Sequence, residues 1–144
     1  MLRALLPRIV SPELVPVLLS MAPVPVACGF PSPAQDYYEG PLNLTDMLVD
    51  DQAATFVVRA SGESMTAAGI SDGDELLVDR SKRPRSGDII VAVLDGELTI
   101  KRLEITPGGV VLRAENSTHP DIAVAELSEL KVWGVATYCL HHLR

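Results

Sequence analysis

Ser64 lies in the run SGESM at residues 61–65, directly after an acidic residue and two positions after Gly62. A serine does acyl-transfer chemistry only when a base takes its proton and donors hold the oxyanion that forms on the attacked carbonyl. Gly62 lets the chain turn tightly beside a substrate, and SGESMTAAGI offers main-chain N–H groups, those of Glu63 and Ser64 first, as oxyanion donors. A serine next to a glycine is also an ordinary turn residue, so the distinguishing question is where a base comes from.

The three histidines, His119, His141 and His142, all lie late in the chain and none has a distinctive context. Of the three lysines, Lys82 belongs to the basic run RSKRPR (Arg80–Arg85), which reads as a solvated loop, and Lys131 opens a later apolar run. Lys101 stands in ELTIKRLEI, a strand pattern in which Lys101 and Arg102 point to opposite faces. A lysine turned inward loses hydration, its pKa falls, and the neutral amine becomes a base, which would complete a Ser–Lys dyad. The strand pattern equally permits the reverse, Arg102 inward and Lys101 in water.

The elements that must position these groups are strands. TFVVRA (55–60), ELLVD (75–79), DIIVAVL (88–94), ELTIKRLEI (97–105), VVLRA (110–114) and LKVWGVATYCL (130–140) are separated by turn residues. Asp95-Gly96 is the strongest hairpin signal among them. Many short strands without a long helical period predict an all-β fold, a small sheet or barrel-like domain over residues 41–144. Seven of the eleven prolines precede residue 41, which predicts an extended, polyproline-like N-terminal arm over residues 1–40. LNLTDMLV (42–49) reads as a short helical turn ending that arm.

Composition limits the function classes. The 144 residues suit one hydrophobic core, aliphatic because there are only two Phe, three Tyr and one Trp. A net charge of −7 disfavours direct nucleic-acid binding. Cys28 and Cys139 form neither a metal-site pattern nor a disulfide framework and fit a reducing compartment; no metal and no cofactor are expected. Cys139 reads as a buried core residue, and the terminal His141-His142 pair as a frayed end. Asn43-Leu44-Thr45 and Asn116-Ser117-Thr118 match the glycosylation pattern, which matters only in a secreted protein. Residues 1–28 resemble an export signal, but Pro7, Pro12, Pro16, Pro23, Pro25 and Glu13 interrupt them, and no run reaches the length of a membrane span; a cytoplasmic location is expected.

The motifs SGESM…GISDGDELLVD and GELTIKRLE resemble the LexA/UmuD family of self-cleaving Ser–Lys peptidases, and the resemblance runs through the chain from about residue 26. It implies Ser64 as nucleophile and Lys101 as general base. ACGFPSPAQDYYEG (27–40) resembles the cleavage-site segment of the UmuD type, which implies Cys28–Gly29 as the bond cut. A small Cys28 fits a narrow pocket, Gly29 permits unusual backbone geometry, and the flanking prolines keep the segment out of sheet ladders. The 28 residues before that bond are too few and too Pro-broken for a helix-turn-helix domain, so the UmuD type is expected over a repressor. The resemblance further implies an SOS-response switch: cleavage stimulated by a RecA–single-stranded DNA filament, a homodimer, and a truncated form serving UmuC in the error-prone DNA polymerase V. Residues 1–25 and the basic loop carry no match of their own. Rival readings are a polymerase accessory protein with a vestigial dyad and an enzyme like type I signal peptidases, which usually have a membrane anchor and a Pro shortly after the Ser-Met.

Overall fold

In the computed structural model, which describes residues 17–22, 25–30, 40–125 and 129–144, the chain divides into two compact units, Met1–Met47 and Leu48–Arg144. In the first unit, β1 (Leu18–Met21) and β2 (Gly40–Asn43) pair antiparallel, with Leu18 opposite Asn43 and Met21 opposite Gly40. The extended arm expected over residues 1–40 thus includes a hydrogen-bonded strand at Leu18–Met21 rather than polyproline-like backbone there. Residues 17–22 are a proline-free interval between Pro16 and Pro23, and Pro41 sits in a two-stranded ribbon, where each strand keeps an open side that needs no N–H donor. All four β1 residues are exposed, so the ribbon builds no core. The short helix α1 (Leu44–Leu48) starts where Asn43 Oδ1 accepts the Thr45 N–H at 3.0 Å, an N-cap bond. The export-like reading of the N-terminus and much of the cleavage-segment match (31–39) fall outside the described residues.

The second unit is an antiparallel sheet built from the Val-, Ile- and Leu-rich runs. Its strands are β3 (Thr55–Arg59), β4 (Glu75–Asp79), β5 (Ile89–Leu94), β6 (Glu97–Thr106), β7 (Gly109–Arg113), β8 (Ile122–Ala123) and β9 (Leu130–Leu140). Their spatial order is β3-β4-β9-β5-β6-β7-β8, so the last strand of the chain is inserted between β4 and β5. The β5–β6 hairpin closes with Leu94 opposite Glu97, leaving Asp95-Gly96 as a two-residue turn in which Asp95 takes φ 48°.

β5 is buried on both faces: Ile90, Val91 and Ala92 are all 3% exposed or less. Because successive side chains alternate, each face gets its own core. Val91 joins Ala60, Met65, Ile70, Leu76 and Val78, while Ile90 and Ala92 join Leu103, Leu112 and Val135. β9 serves both by bulging twice. Its register skips Thr137 against β4 and Trp133 against β5.

Gly134 lies between those two irregularities, where strand backbones approach closely. A Cβ there would stand 2.5 Å from Val78 Cγ1 and 3.4 Å from the Asp79 carbonyl oxygen. Val78 is fully buried and has nowhere to move. Gly134→Ala is therefore expected to lower stability by about 1–3 kcal/mol in urea unfolding with an unchanged m value. A midpoint equal to that of wild type would contradict the close approach.

Candidate active site

Ser64 immediately precedes a short segment pinned at both ends by buried apolar anchors. Met65 and Ile70 are 3% and 4% exposed, and a single 3-10 turn, Thr66–Ala68, lies between them. With Met65 committed to the core, its neighbour Ser64 is left half-buried.

One side of this loop is held by the acidic turn Ser71-Asp72-Gly73-Asp74. The Ala60 N–H donates to the Asp74 carbonyl at 2.7 Å, and the Gly73 N–H returns to the Ala60 carbonyl at 2.9 Å. The Gly62 N–H donates to Asp72 Oδ1 at 2.8 Å, with Gly62 at φ 93°, a left-handed conformation suited to glycine. Buried Asp74 accepts the Ser71 N–H at 2.8 Å, and that bond is the main reason its carboxyl lies below the usual range. On the other side, the Glu115 N–H donates to the Ser64 carbonyl at 2.8 Å and the Ala67 N–H to the Glu115 carbonyl at 2.7 Å. Asn116 Nδ2 donates to the Glu63 carbonyl at 2.7 Å. Among the described residues the N–H groups of Glu63 and Ser64 engage no acceptor.

β6 brings Lys101 to this loop. Lys101 Nζ is 2.9 Å from Ser64 Oγ, 3.1 Å from Thr99 Oγ1 and 3.1 Å from the Ile100 carbonyl oxygen. Of the two arrangements the strand pattern allowed, the structure has Lys101 at the serine, with Arg102 on the opposite face paired to Glu115. Desolvation pushes the Lys101 amine below its usual value. The three partners suit both protonation states. An ammonium has three hydrogens for three oxygens. A neutral amine has two hydrogens, for Thr99 and Ile100, and one lone pair to receive the Ser64 O–H.

A cavity of about 390 Å³ opens onto both side chains, with apolar walls from Val58, Val91, Ile100 and Trp133. Trp133, the residue bulged out of β9, is itself braced: Arg80 lies over its ring at 4.7 Å, and Phe56 packs at 5.5 Å and 57°. Apolar walls beside a hydroxyl and an amine whose pKa burial lowers suit attack on the carbonyl of an apolar peptide segment.

The structure thus brings Ser64, Lys101 and the Glu63–Ser64 main chain together. Cys28 and Gly29 belong to the other unit; residues 25–30 are all exposed, Gly29 does not take a positive φ, and a side chain there would meet nothing within 4 Å. Cys139 is not a core residue: it is exposed near the end of β9, where its thiol reaches Asp74 Oδ2 at 3.4 Å and is pushed up to about 11, by burial first and then by Asp74. The terminal histidines are engaged, His141 with Asp74 and His142 with Glu75. No group of His, Cys, Asp and Glu that could hold a metal exists among the described residues. Three contributors escaped the sequence reading. Thr99 shares a strand face with Lys101 by the period of two, a usable signal. Glu115 and Asn116 act through main chain and a side-chain amide across a long sequence gap, which no local pattern shows.

Comparison with known proteins places these residues in a wider group. The Peptidase S24-like family matches residues 19–137. Protein ImpA of Escherichia coli is 43% identical over 116 residues, covering 81% of this chain and 79% of ImpA. Protein SamA of Salmonella typhimurium is 40% identical over 138 residues, covering 94% of this chain and 96% of SamA. The LexA repressor of Magnetococcus marinus is 35% identical over 136 residues, covering 86% of this chain and 57% of the repressor.

The depressed Lys101 value carries a stability consequence. Between that value and about 10.4, the unfolded chain binds more protons than the folded one, so stability rises with pH across this window. Below it, folding must bury a charged amine. In a Ser64→Ala background, Lys101→Met is expected to raise the urea midpoint at pH 7, with the gain shrinking towards pH 10. A gain that stays constant with pH would rule out charge burial as its cause.

Proposed function

This chain belongs to the Peptidase S24-like family, the LexA/UmuD line of self-cleaving serine peptidases connected with the SOS response, and from that premise we propose that Ser64 and Lys101 form its catalytic dyad and cut its own Cys28–Gly29 bond. The observation that carries this reading is the 2.9 Å contact between Ser64 Oγ and an amine whose pKa burial depresses.

The chemistry runs in two stages. Neutral Lys101 takes the Ser64 proton as Oγ attacks the Cys28 carbonyl carbon, and the N–H groups of Glu63 and Ser64 receive the oxyanion. Collapse breaks the Cys28–Gly29 bond. Lys101 returns its proton to the leaving Gly29 amine, and Cys28 remains as an ester on Ser64. Water, deprotonated by Lys101, then hydrolyses the ester and restores Ser64. The scissile bond is tethered, so its effective concentration is high and a modest dyad suffices for a single-use switch.

The fuller biological role follows the resemblance. The protein acts as a homodimer, a RecA–single-stranded DNA filament stimulates the cut, and the truncated product serves a UmuC-type error-prone polymerase in the cytoplasm. The net charge of −7 is consistent with DNA being reached through such partners rather than bound directly. No helix among the described residues is long and apolar enough to cross a membrane.

Intact-mass measurement on purified protein tests the proposal. Wild type is expected to lose residues 1–28, faster with rising pH as Lys101 gives up its proton, and faster with filament added. Ser64→Ala and Lys101→Ala should stay whole under every condition. Cleavage elsewhere, or equal cleavage in Ser64→Ala, would overturn the dyad assignment. An uncleaved wild type would favour a vestigial accessory protein.

A further inference from the structure

Glu115 holds the nucleophile loop by its main chain and the lysine-bearing strand by its side chain. We propose that the Arg102–Glu115 ion pair is a positioning device that sets the distance between Lys101 and Ser64; this rests on the dyad reading above. Lys101 and Arg102 are neighbours on β6 and leave it on opposite faces. Lys101 Nζ reaches Ser64 Oγ at 2.9 Å. Arg102 Nε reaches Glu115 Oε1 at 2.5 Å, and its Nη1 donates to the Gly87 carbonyl at 2.6 Å, which fixes the guanidinium from a second direction.

Glu115 then closes the circuit, because its N–H holds the Ser64 carbonyl at 2.8 Å and its own carbonyl accepts the Ala67 N–H at 2.7 Å. The contacts form a ring: Lys101 side chain to Ser64 side chain, Ser64 main chain to Glu115, Glu115 side chain to Arg102, and Arg102 back to Lys101 through one peptide bond. Within such a ring neither dyad group moves alone. Opening it at the ion pair removes the side-chain tie between β6 and Glu115 and leaves the β6–β7 ladder, the buried Met65 and the main-chain bonds to position the hydroxyl and the amine.

The pair acts locally. Its side chains are 33% and 27% exposed, so solvent screening limits what it adds to global stability. A neighbouring pair serves as a control: Arg113 Nη2 and Glu104 Oε2 lie 2.6 Å apart with 49% and 33% exposure, Arg113 also faces Asp121 at 3.9 Å, and among the described residues neither makes a hydrogen bond or ion pair with residues 63–67. Loosening the ring has two linked consequences. The reacting atoms spend less time in contact, and water gains access to Lys101, which moves its value back towards that of an exposed lysine.

The test is the pH dependence of self-cleavage in the full chain, followed by intact mass, with thermal melting of each variant on a Ser64→Ala background. Glu115→Gln keeps the main-chain bonds and removes only the charge. It is expected to cleave about tenfold more slowly than wild type, the scale of rate loss that slight misplacement of reacting groups produces, with its pH–rate profile displaced to higher pH. Glu104→Gln should match wild type in both, with the two variants melting alike. Arg102→Lys, lacking the second hold on Gly87, should fall between wild type and Glu115→Gln. A wild-type rate and profile for Glu115→Gln, or equal slowing in Glu104→Gln, would overturn the positioning role. Cleavage persisting in Ser64→Ala, or none in wild type, would instead sink the dyad reading on which it rests.

Discussion

A basic amine held partly out of water against a hydroxyl is the constraint on which the site depends. Lys101 must lose enough water to give up its proton, yet its hydrogens cannot be left without partners in that environment. The strand resolves this within three residues: Thr99 and Ile100 supply oxygens at 3.1 Å, and Ser64 supplies the third contact at 2.9 Å. No carboxylate contributes to the shift, which is caused by burial alone. A nearby carboxylate would favour the ammonium and disable the base. Three acidic residues around the loop are instead occupied elsewhere, Asp72 on Gly62, Asp74 on Ser71 and His141, and Glu115 on Arg102.

This requirement explains why so much of the second unit is core on both sides of its sheet. β5 contributes Val91 to the cluster that anchors Met65, and Ile90 and Ala92 to the cluster behind. The strand beneath the active-site cavity is therefore packed from both faces, and its main chain is a fixed base for β6. The first bulge in β9 sets Trp133 into the cavity wall, and Gly134 beside it lets β9 lie against Val78. The anchors of the nucleophile loop belong to the same cluster as Val78, so core packing and the serine's position are one problem.

The sequence made the sheet legible and the site only partly so, for separate physical reasons. Alternating β-branched runs located β3 to β7 and β9 to within about a residue at each end, and Asp95-Gly96 marked the hairpin between β5 and β6. β8, two residues long, is too short to show any period, and the β1–β2 pairing joins a four-residue stretch flanked by Pro16 and Pro23 to one that contains Pro41, so proline masks both strands. Which face of β6 turned inward was not readable, because Thr99 through Arg102 are all partly buried and both faces of that strand meet protein. Cys139 was misread because β9 outlasts its core: residues 138–140 continue the apolar pattern but lie exposed. Alternation reports that a strand continues, not that something covers it.

Burial is also what makes a lysine suited to a switch of this kind. At neutral pH most amines are protonated and inert as bases, and each unit by which burial lowers the value increases the neutral fraction about tenfold. For the proposed dyad, the resting rate would depend on how far the site excludes water from Lys101. A histidine there would be largely neutral already, and a tethered bond would be exposed to a continuously competent base. With lysine, under the proposed function, a segment docking over the cavity would both present the substrate and remove water from the amine. Binding and activation then become a single step. On that reading a partner that favours docking accelerates the cut without contributing any catalytic group, because the last increment of desolvation comes from the substrate itself.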